Sequence, residues 1–212
     1  MKSRWRGWPL PSMALSLMLL LHARSAIAQE TQESWIEAPM TLRRTPQLTE
    51  TIPQAERGMR PSLVDGDRIS GRPDLEVVVE GDASLRRGDT HVTADRLTYQ
   101  PPGDLATATG NVHLNQGGNV YEGPELHLKV ESFEGFFNHV RYTLLETGAH
   151  GEAERIDFVD PNVSVARHAT YTTCLRENYA GWVPAWMLSA VTLTTDNETN
   201  LATATDAGTQ PA

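Results

Sequence analysis

Short runs in which apolar and polar residues alternate, cut by turn residues, constrain this chain more than any other feature. Leu75, Val77 and Val79 share one face of a period-2 segment, and Ala83 and Leu85 follow Gly81-Asp82. Val92 and Ala94 alternate in the same way, then Leu97 and Tyr99. Successive side chains of a strand point to opposite faces, so this pattern predicts strands with one buried face. Gly103-Asp104, Gly117-Gly118-Asn119 and Gly123-Pro124 mark turns. No stretch carries a sustained helical stripe, so the expected class is all-β.

The strands repeat. Residues 80–99 laid over 109–128 match Gly81 to Gly110, Leu85 to Leu114, Gly88 to Gly117 and Leu97 to Leu126, an offset of 29. At an offset of 59, His91, Ala94 and Arg96 recur as His150, Ala153 and Arg155. At an offset of 96, Ala94, Leu97 and Thr98 recur as Ala190, Leu193 and Thr194, and Leu-Ala-Thr-Ala-Thr at 105–109 recurs whole at 201–205. A strand pair and turn repeated about every 30 residues predicts stacked β layers, each burying one face on the next. The small residues Ala94, Gly123, Ala153 and Ala190 let layers or a ligand approach closely. The last layer leaves an open edge, a place where another sheet can dock.

The flanks read differently. Residues 1–28 hold a basic start, the apolar run Met13–Leu21 and the small-x-small triplet Ala26-Ile27-Ala28, the three parts of a signal peptide in order. The apolar run is too short to cross a bilayer core, which needs ~20 residues. Residues 29–63, with Pro39, Pro46, Pro53 and Pro61 among polar residues, predict a disordered linker. The β domain is expected over 64–206, with 207–212 as a tail. Taking away Lys2, Arg4, Arg6 and Arg24 of the leader leaves 14 basic against 27 acidic side chains, a charge of −13. A chain so acidic excludes nucleic acid as a partner, since phosphate binding needs a basic face. The single cysteine excludes an internal disulfide framework and a cysteine-rich metal site.

The pattern G-[DN]-[AV]-x-L, A-D-R-L-x-Y and A-x-A-x-G-N-V resembles the OstA-like repeat of the periplasmic lipopolysaccharide-transport proteins. The block Tyr121-Glu122-Gly123-Pro124, the block Phe133–Phe137 and the stretch 169–174 (ATYTTC) followed by Trp182–Trp186 resemble, more closely, the N-terminal domain of the LPS-assembly protein family. The resemblance implies a β-jellyroll, a folded-over sheet with an apolar groove. It implies a role in lipopolysaccharide transport and assembly at the outer membrane of Gram-negative bacteria, the family also linked with organic solvent tolerance. The implied partners are lipopolysaccharide, an LptA-like bridge protein docked by strand edges, and an outer-membrane barrel with an LptE-like lipoprotein. The implied location is the periplasmic side of the outer membrane. The family continues into a long barrel, whereas this sequence stops at Ala212, so a truncated relative or a fragment is expected.

Lipid A is anionic and so is this domain, so attraction must come from acyl chains. Each buried methylene contributes about 0.8 kcal/mol. Candidate groove residues are Val77, Val79, Leu85, Val92, Leu97, Leu114, Leu126, Leu128, Phe136, Tyr142, Ile156 and Phe158. The same residues suit a closed sandwich core, and alternation alone does not separate the two readings, because bulges shift the register. An odd cysteine in an exported chain suggests a partner elsewhere. In the family, a cysteine at the position of Cys174 pairs with one in the barrel, a partner absent from this chain. A buried, inert thiol is the other reading.

The histidines His91, His113, His127, His139, His150 and His168 read as scattered surface residues, with only His113 and His127 candidates for adjacent strands. No metal site and no cofactor is expected. Trp182 and Trp186 suit sugar binding, a membrane interface or a cap on the sheet's open end. No G-x-S-x-G, P-loop or H-E-x-x-H occurs. Acidic pairs such as Asp157 and Asp160 fall in turn-like settings. The protein is therefore expected not to be an enzyme. Two further classes stay open: a free-standing periplasmic lipid carrier or scaffold of the LptA type, and a polysaccharide-active β-solenoid enzyme.

Overall fold

A computed structural model of the chain describes residue 56 and residues 60–175, 182–199 and 201–211. The segment read as a leader, and nearly all of the segment read as a linker, lie outside the described residues. Among the described residues eleven strands form one antiparallel sheet: β1 (Leu63–Asp65), β2 (Arg68–Arg72), β3 (Glu76–Arg87), β4 (Thr90–Gln100), β5 (Leu105–Gln116), β6 (Asn119–Lys129), β7 (Glu134–Thr143), β8 (His150–Phe158), β9 (Val163–Tyr171), β10 (Trp186–Asp196) and β11 (Leu201–Pro211). From β3 to β11 each strand pairs with its sequence neighbour, while β1 and β2 share the outer side of β3. Tight turns make this order possible. The β5–β6 turn holds Gly117 at φ 57° and Gly118 at φ 91°, the left-handed pair that hairpin turns favour.

A row of irregularities crosses the sheet at mid-strand. Pairing slips between Glu80 and Ala83, between Thr93 and Arg96, and between Thr109 and Val112. In every second strand the row carries a residue in the left-handed region: Asp82, Asn111, His139, His168 and Asp206, all with φ between 43° and 50°. They occupy the middle of Gly81-Asp82-Ala83, Gly110-Asn111-Val112, Asn138-His139-Val140, Arg167-His168-Ala169 and Thr205-Asp206-Ala207. The 29-residue repeat of the sequence is thus the spacing of a bulge. Gly81 and Gly110 have φ of 76° and 75°, and a Cβ on Gly110 would lie 2.4 Å from the Asp95 carboxylate. Only glycine meets both demands.

Bulges bend a sheet and re-aim its side chains. The row divides each long strand into two arms. Arm I holds 76–80, 96–100, 105–109, 125–129, 134–138, 155–158, 163–167, 192–196 and 201–205. Arm II holds 83–87, 90–94, 112–116, 119–123, 140–143, 150–153, 169–171, 186–190 and 207–211. The apolar faces of both arms form one buried cluster. Tyr121 of arm II meets Phe158 of arm I edge-on, with ring centroids 5.1 Å apart, so the sheet doubles back on itself. Where the arms converge the inward residues are small: Ala83, Ala94, Val112, Val140, Ala153, Ala169 and Ala190, all buried.

The fold is all-β, as the alternation predicts, and the sheet is folded over, as the resemblance implies. The repeats lie side by side in one continuous sheet, because from β3 to β10 each strand is paired on both edges. The domain boundaries differ. Leu63, placed in the linker, begins β1, and β11 runs to Pro211, so residues 207–211 form strand and not a tail. Small residues such as Ala207 and Gly208 gave no alternating signal there, yet the ladder with β10 continues through Pro211.

Candidate functional site

The groove candidates separate by face. Val79, Leu85, Val92, Leu97, Leu114, Leu126, Leu128, Tyr142, Ile156 and Phe158 are buried together between the arms, and Val77 is half-buried against them. Phe136 is a correction. Its neighbour Phe137 points inward and is fully buried, so Phe136 faces the other side of the sheet. There its ring stacks on His127 at 4.6 Å and lies 4.0 Å beneath the Arg155 guanidinium. His139, at φ 47°, interrupts the alternation in β7 so that Phe137 and Val140 both point inward, which is why counting from Tyr142 in twos puts Phe136 on the wrong face.

The line along which the tips of the two arms meet is a seam, and its closure changes along the sheet. At β3–β5 polar groups close it. Arg87 at the end of arm II donates to the Asp104 carboxylate of arm I at 2.6 Å. The Tyr99 hydroxyl donates to the same Asp104 oxygen at 2.7 Å, and Ser62 donates to Tyr99 at 3.2 Å. At β6–β8 aromatic rings close it. Phe133, from the β6–β7 turn, is buried and sits 5.0 Å from Phe158, which meets Tyr121. Burial raises the Tyr121 phenol well above its ordinary range, so it stays neutral in this apolar setting.

At β11 the interior meets solvent. Register with β9 and β10 puts Ala202, Ala204, Ala207 and Thr209 of β11 on the inner face, and all but half-buried Ala204 are exposed. Trp186 and Leu188 of β10 and Tyr171 of β9 line the facing arm. Leu188 and Tyr171 are half-buried, and Trp186 is 39% exposed with its ring 6.2 Å from that of Tyr171. The far side of β11 pairs with no strand among the described residues, and at the opposite edge β2 is exposed throughout. Sequence reasoning assigned none of Tyr171, Leu188, Leu193 or Ala204 to the interior; the shared offset of 96 between β4–β5 and β10–β11 was the signal that could have placed them.

The outward face is polar. Asp157 lies within β8 and not in the turn-like setting expected, where Arg155 and Arg167 bind it at 2.6 and 3.1 Å, while Asp160 accepts the backbone N–H groups of Asn162 and Val163 in the β8–β9 turn. A cleft of about 830 Å³ follows the bulge row on this face, lined among others by His113, Glu122, His139, Arg141, Glu154 and His168. His113 and His127 do lie on adjacent strands, but their ladder partners are Glu122 and Thr107, on opposite sides of the bulge row. Among the described residues no group of three or more His, Cys, Asp or Glu is arranged to hold a metal ion.

Cys174 follows β9 and is half-buried. Its backbone N–H donates to the Thr172 hydroxyl at 3.1 Å, and its thiol lies 3.9 Å from the Trp186 carbonyl. Hydrogen bonding with Thr172, then Trp186, holds the thiol below its usual pKa. Trp182 sits over His150 at 6.2 Å.

No family model matches the chain. Curated relatives do. The "LPS-assembly protein LptD" of Albidiferax ferrireducens is 48% identical over 192 residues, 91% of this chain and 24% of that protein. That of an Acidovorax species is 48% identical over 84% of this chain and 22% of its own length, and that of Cupriavidus metallidurans is 40% identical over 77% and 19%. Among solved structures, LptH of Pseudomonas aeruginosa, described as the LptA-homologous periplasmic component of a lipopolysaccharide transport device, covers 70% of this chain at 16% identity, with a TM-score of 0.30. The chain spans about a quarter of the length of the curated relatives it matches. Over nine-tenths of its length, at close to half identity, the chain is thus homologous to a part of proteins named LPS-assembly protein LptD.

Proposed function

We propose that this chain acts in lipopolysaccharide transport on the periplasmic side of the outer membrane, holding lipopolysaccharide by its acyl chains between the two arms and passing it on without catalysis. One observation carries the reading: the inner face is apolar from β3 to β10 and meets solvent at β11. An interior of this kind offers hydrocarbon a place and offers a phosphate or sugar none, because a polar group buried there without a partner costs several kcal/mol. The exposed edges β2 and β11 suit continuation of the sheet by other strands, which is how an LptA-like bridge protein would dock. An outer-membrane barrel and an LptE-like lipoprotein are the further partners this reading names, and Cys174 is the thiol available to a cysteine outside this chain.

The test compares purified lipopolysaccharide with its fully deacylated form in calorimetric titrations of the chain. Binding of the intact molecule and none of the deacylated one is the expected result. Equal binding of both would place recognition on sugar and phosphate and overturn the reading.

A further inference from the structure

The joint between β8 and β9 is built unlike its neighbours. The row of left-handed residues skips a single pair between β7 and β8, at His139 and Glu154, and a single pair between β9 and β10, at His168 and Val191. Between β8 and β9 four consecutive pairs are missing, Gly151 to Glu154 against His168 to Tyr171. A shift of register is not the cause. His150 and Thr172 exchange both backbone bonds near the tip of arm II, at 2.9 and 3.0 Å, in the same register as Arg155 and Arg167 in arm I.

Side chains hold the two strands across this gap. The Thr170 hydroxyl takes the place of the ladder: the Glu152 N–H donates to it at 2.9 Å, and it donates to the Glu152 carbonyl at 3.4 Å. Buried backbone groups need such partners when a ladder fails them. The Thr170 carbonyl accepts from the buried Tyr142 hydroxyl of β7 at 2.6 Å. Tyr142 reaches past β8 because its ladder partner there is Gly151; a Cβ on Gly151 would fall on the Thr170 carbonyl oxygen. On the outward face His168 Nδ1 lies 2.8 Å from a Glu154 carboxylate oxygen. Arm I has no such gap, since 155–158 pairs continuously with 164–167. The sheet is thus two well-paired blocks, β3–β8 and β9–β11, joined by backbone in arm I and mainly by side chains in arm II.

We infer that this joint is a hinged opening: the arm II halves of β9, β10 and β11 part from β8 as one flap, turning about the arm I ladder, with the Tyr142–Thr170 hydrogen bond as the latch. Native proteins open locally where backbone pairing is weakest, and a hinge is a few residues that absorb the turn while the rest moves as a body. The ladders from β9 to β11 miss only the pairs at Val191, so those strands move together. The outward cleft lies over the joint, with Glu152, Glu154, His168 and Thr170 in its lining. Ala153 and Ala169, both buried, hold opposite places in the interrupted register. An open flap therefore connects the cleft with the interior of the folded sheet. The inference concerns the motion of the chain itself and stands apart from the lipid reading.

Thiol labelling of the folded chain tests it. In a Cys174→Ser background, single cysteines are introduced as Ala153→Cys and Ala169→Cys, and as controls Ala83→Cys and Ala94→Cys. The controls are equally buried and directly paired in the β3–β4 ladder beside the same row. Under native conditions a maleimide should react at least ten-fold faster with Ala153→Cys and Ala169→Cys than with the controls. Adding Tyr142→Phe should speed the first two several-fold further and leave the controls unchanged. Thr170→Val, which removes the hydroxyl that replaces the ladder, should act in the same direction and serves where Tyr142→Phe does not fold. Equal rates at all four sites would mean that only global unfolding exposes them, and would overturn the opening. An increase shared equally by all four sites, or absent from Ala153→Cys and Ala169→Cys, would overturn the latch.

Discussion

Arg87 Nη1 lies 2.6 Å from Asp104 Oδ1, although Arg87 ends β3 in one arm of the folded sheet and Asp104 precedes β5 in the other. The pair is shielded, with the two side chains 11% and 21% exposed, and Tyr99 and the Glu131 backbone N–H also donate to Asp104. Removing Asp104 takes the nearest carboxylate from a shielded guanidinium and the acceptor from the Tyr99 phenol, while Arg87 keeps Glu131 at 3.6 Å and the Arg60 carbonyl. Asp104→Ala should lower unfolding stability by roughly 2 kcal/mol, the scale of hydrogen bonds to charged groups. Urea denaturation measures it, and a loss under about 0.5 kcal/mol, the scale of an ordinary surface change, would show that the seam is not held there.

The bulge row makes a contrasting pair of glycine predictions. Gly110→Ala sets a Cβ 2.4 Å from Asp95 at φ +75°, and should cost about 1–3 kcal/mol. Gly103→Ala meets nothing within 4 Å and should change stability by less than about 0.5 kcal/mol. Thermal melts of the two variants side by side decide it. Equal effects would remove the bulge from the account of the fold.

The two faces of the sheet give a second contrast. Leu114 is fully buried between the arms, so Leu114→Ala should cost about 2–5 kcal/mol. Phe136 lies on the outer face, where its contact with Arg155 contributes about 0.5–1 kcal/mol at an exposed site. Phe136→Ala should therefore be much the milder substitution. The reverse order in denaturant melts would mean that the faces are assigned wrongly.

On that outer face Glu125 is held below the ordinary carboxylate pKa of 4.5, by the Asn138 side chain first and His127 second. A carboxyl with a depressed folded pKa binds its proton more readily when unfolded. Its contribution is complete above 4.5 and disappears as pH falls through the folded value. An NMR titration of Glu125 should move toward 4.5 in Asn138→Ala, and no movement would assign the shift elsewhere.

Much of this was legible in the residues. The alternation of Val77, Val79, Leu85, Val92 and Leu97 shows the inner face directly, and the Gly81-Asp82 and Gly110-Asn111 pairs carry the repeat that the structure resolves into a bulge. What was not legible follows from that bulge. A one-residue shift reverses the face of everything beyond it, so Phe136 read as inward. His139, His168 and Asp206 take the glycine-like conformation without being glycine, and nothing local marks them. The Arg87–Asp104 contact joins arm tips brought together only by folding. The interior beyond β8 was not legible because Ala166, Ala190 and Ala204 give a weak hydrophobic signal.

In the proposed function, lipid chains lie between the arms. Photo-crosslinking residues placed one at a time along β10, with purified lipopolysaccharide added, test it most directly. Leu188, Ala190 and Leu193 face inward, and Val191 is exposed on the bulge row. Capture at Leu188 and Leu193, with little at Val191 or at Phe136 on the outer face, is the result expected. Capture at Val191 and Phe136 as strong as at Leu188, or at those outer positions alone, would contradict it.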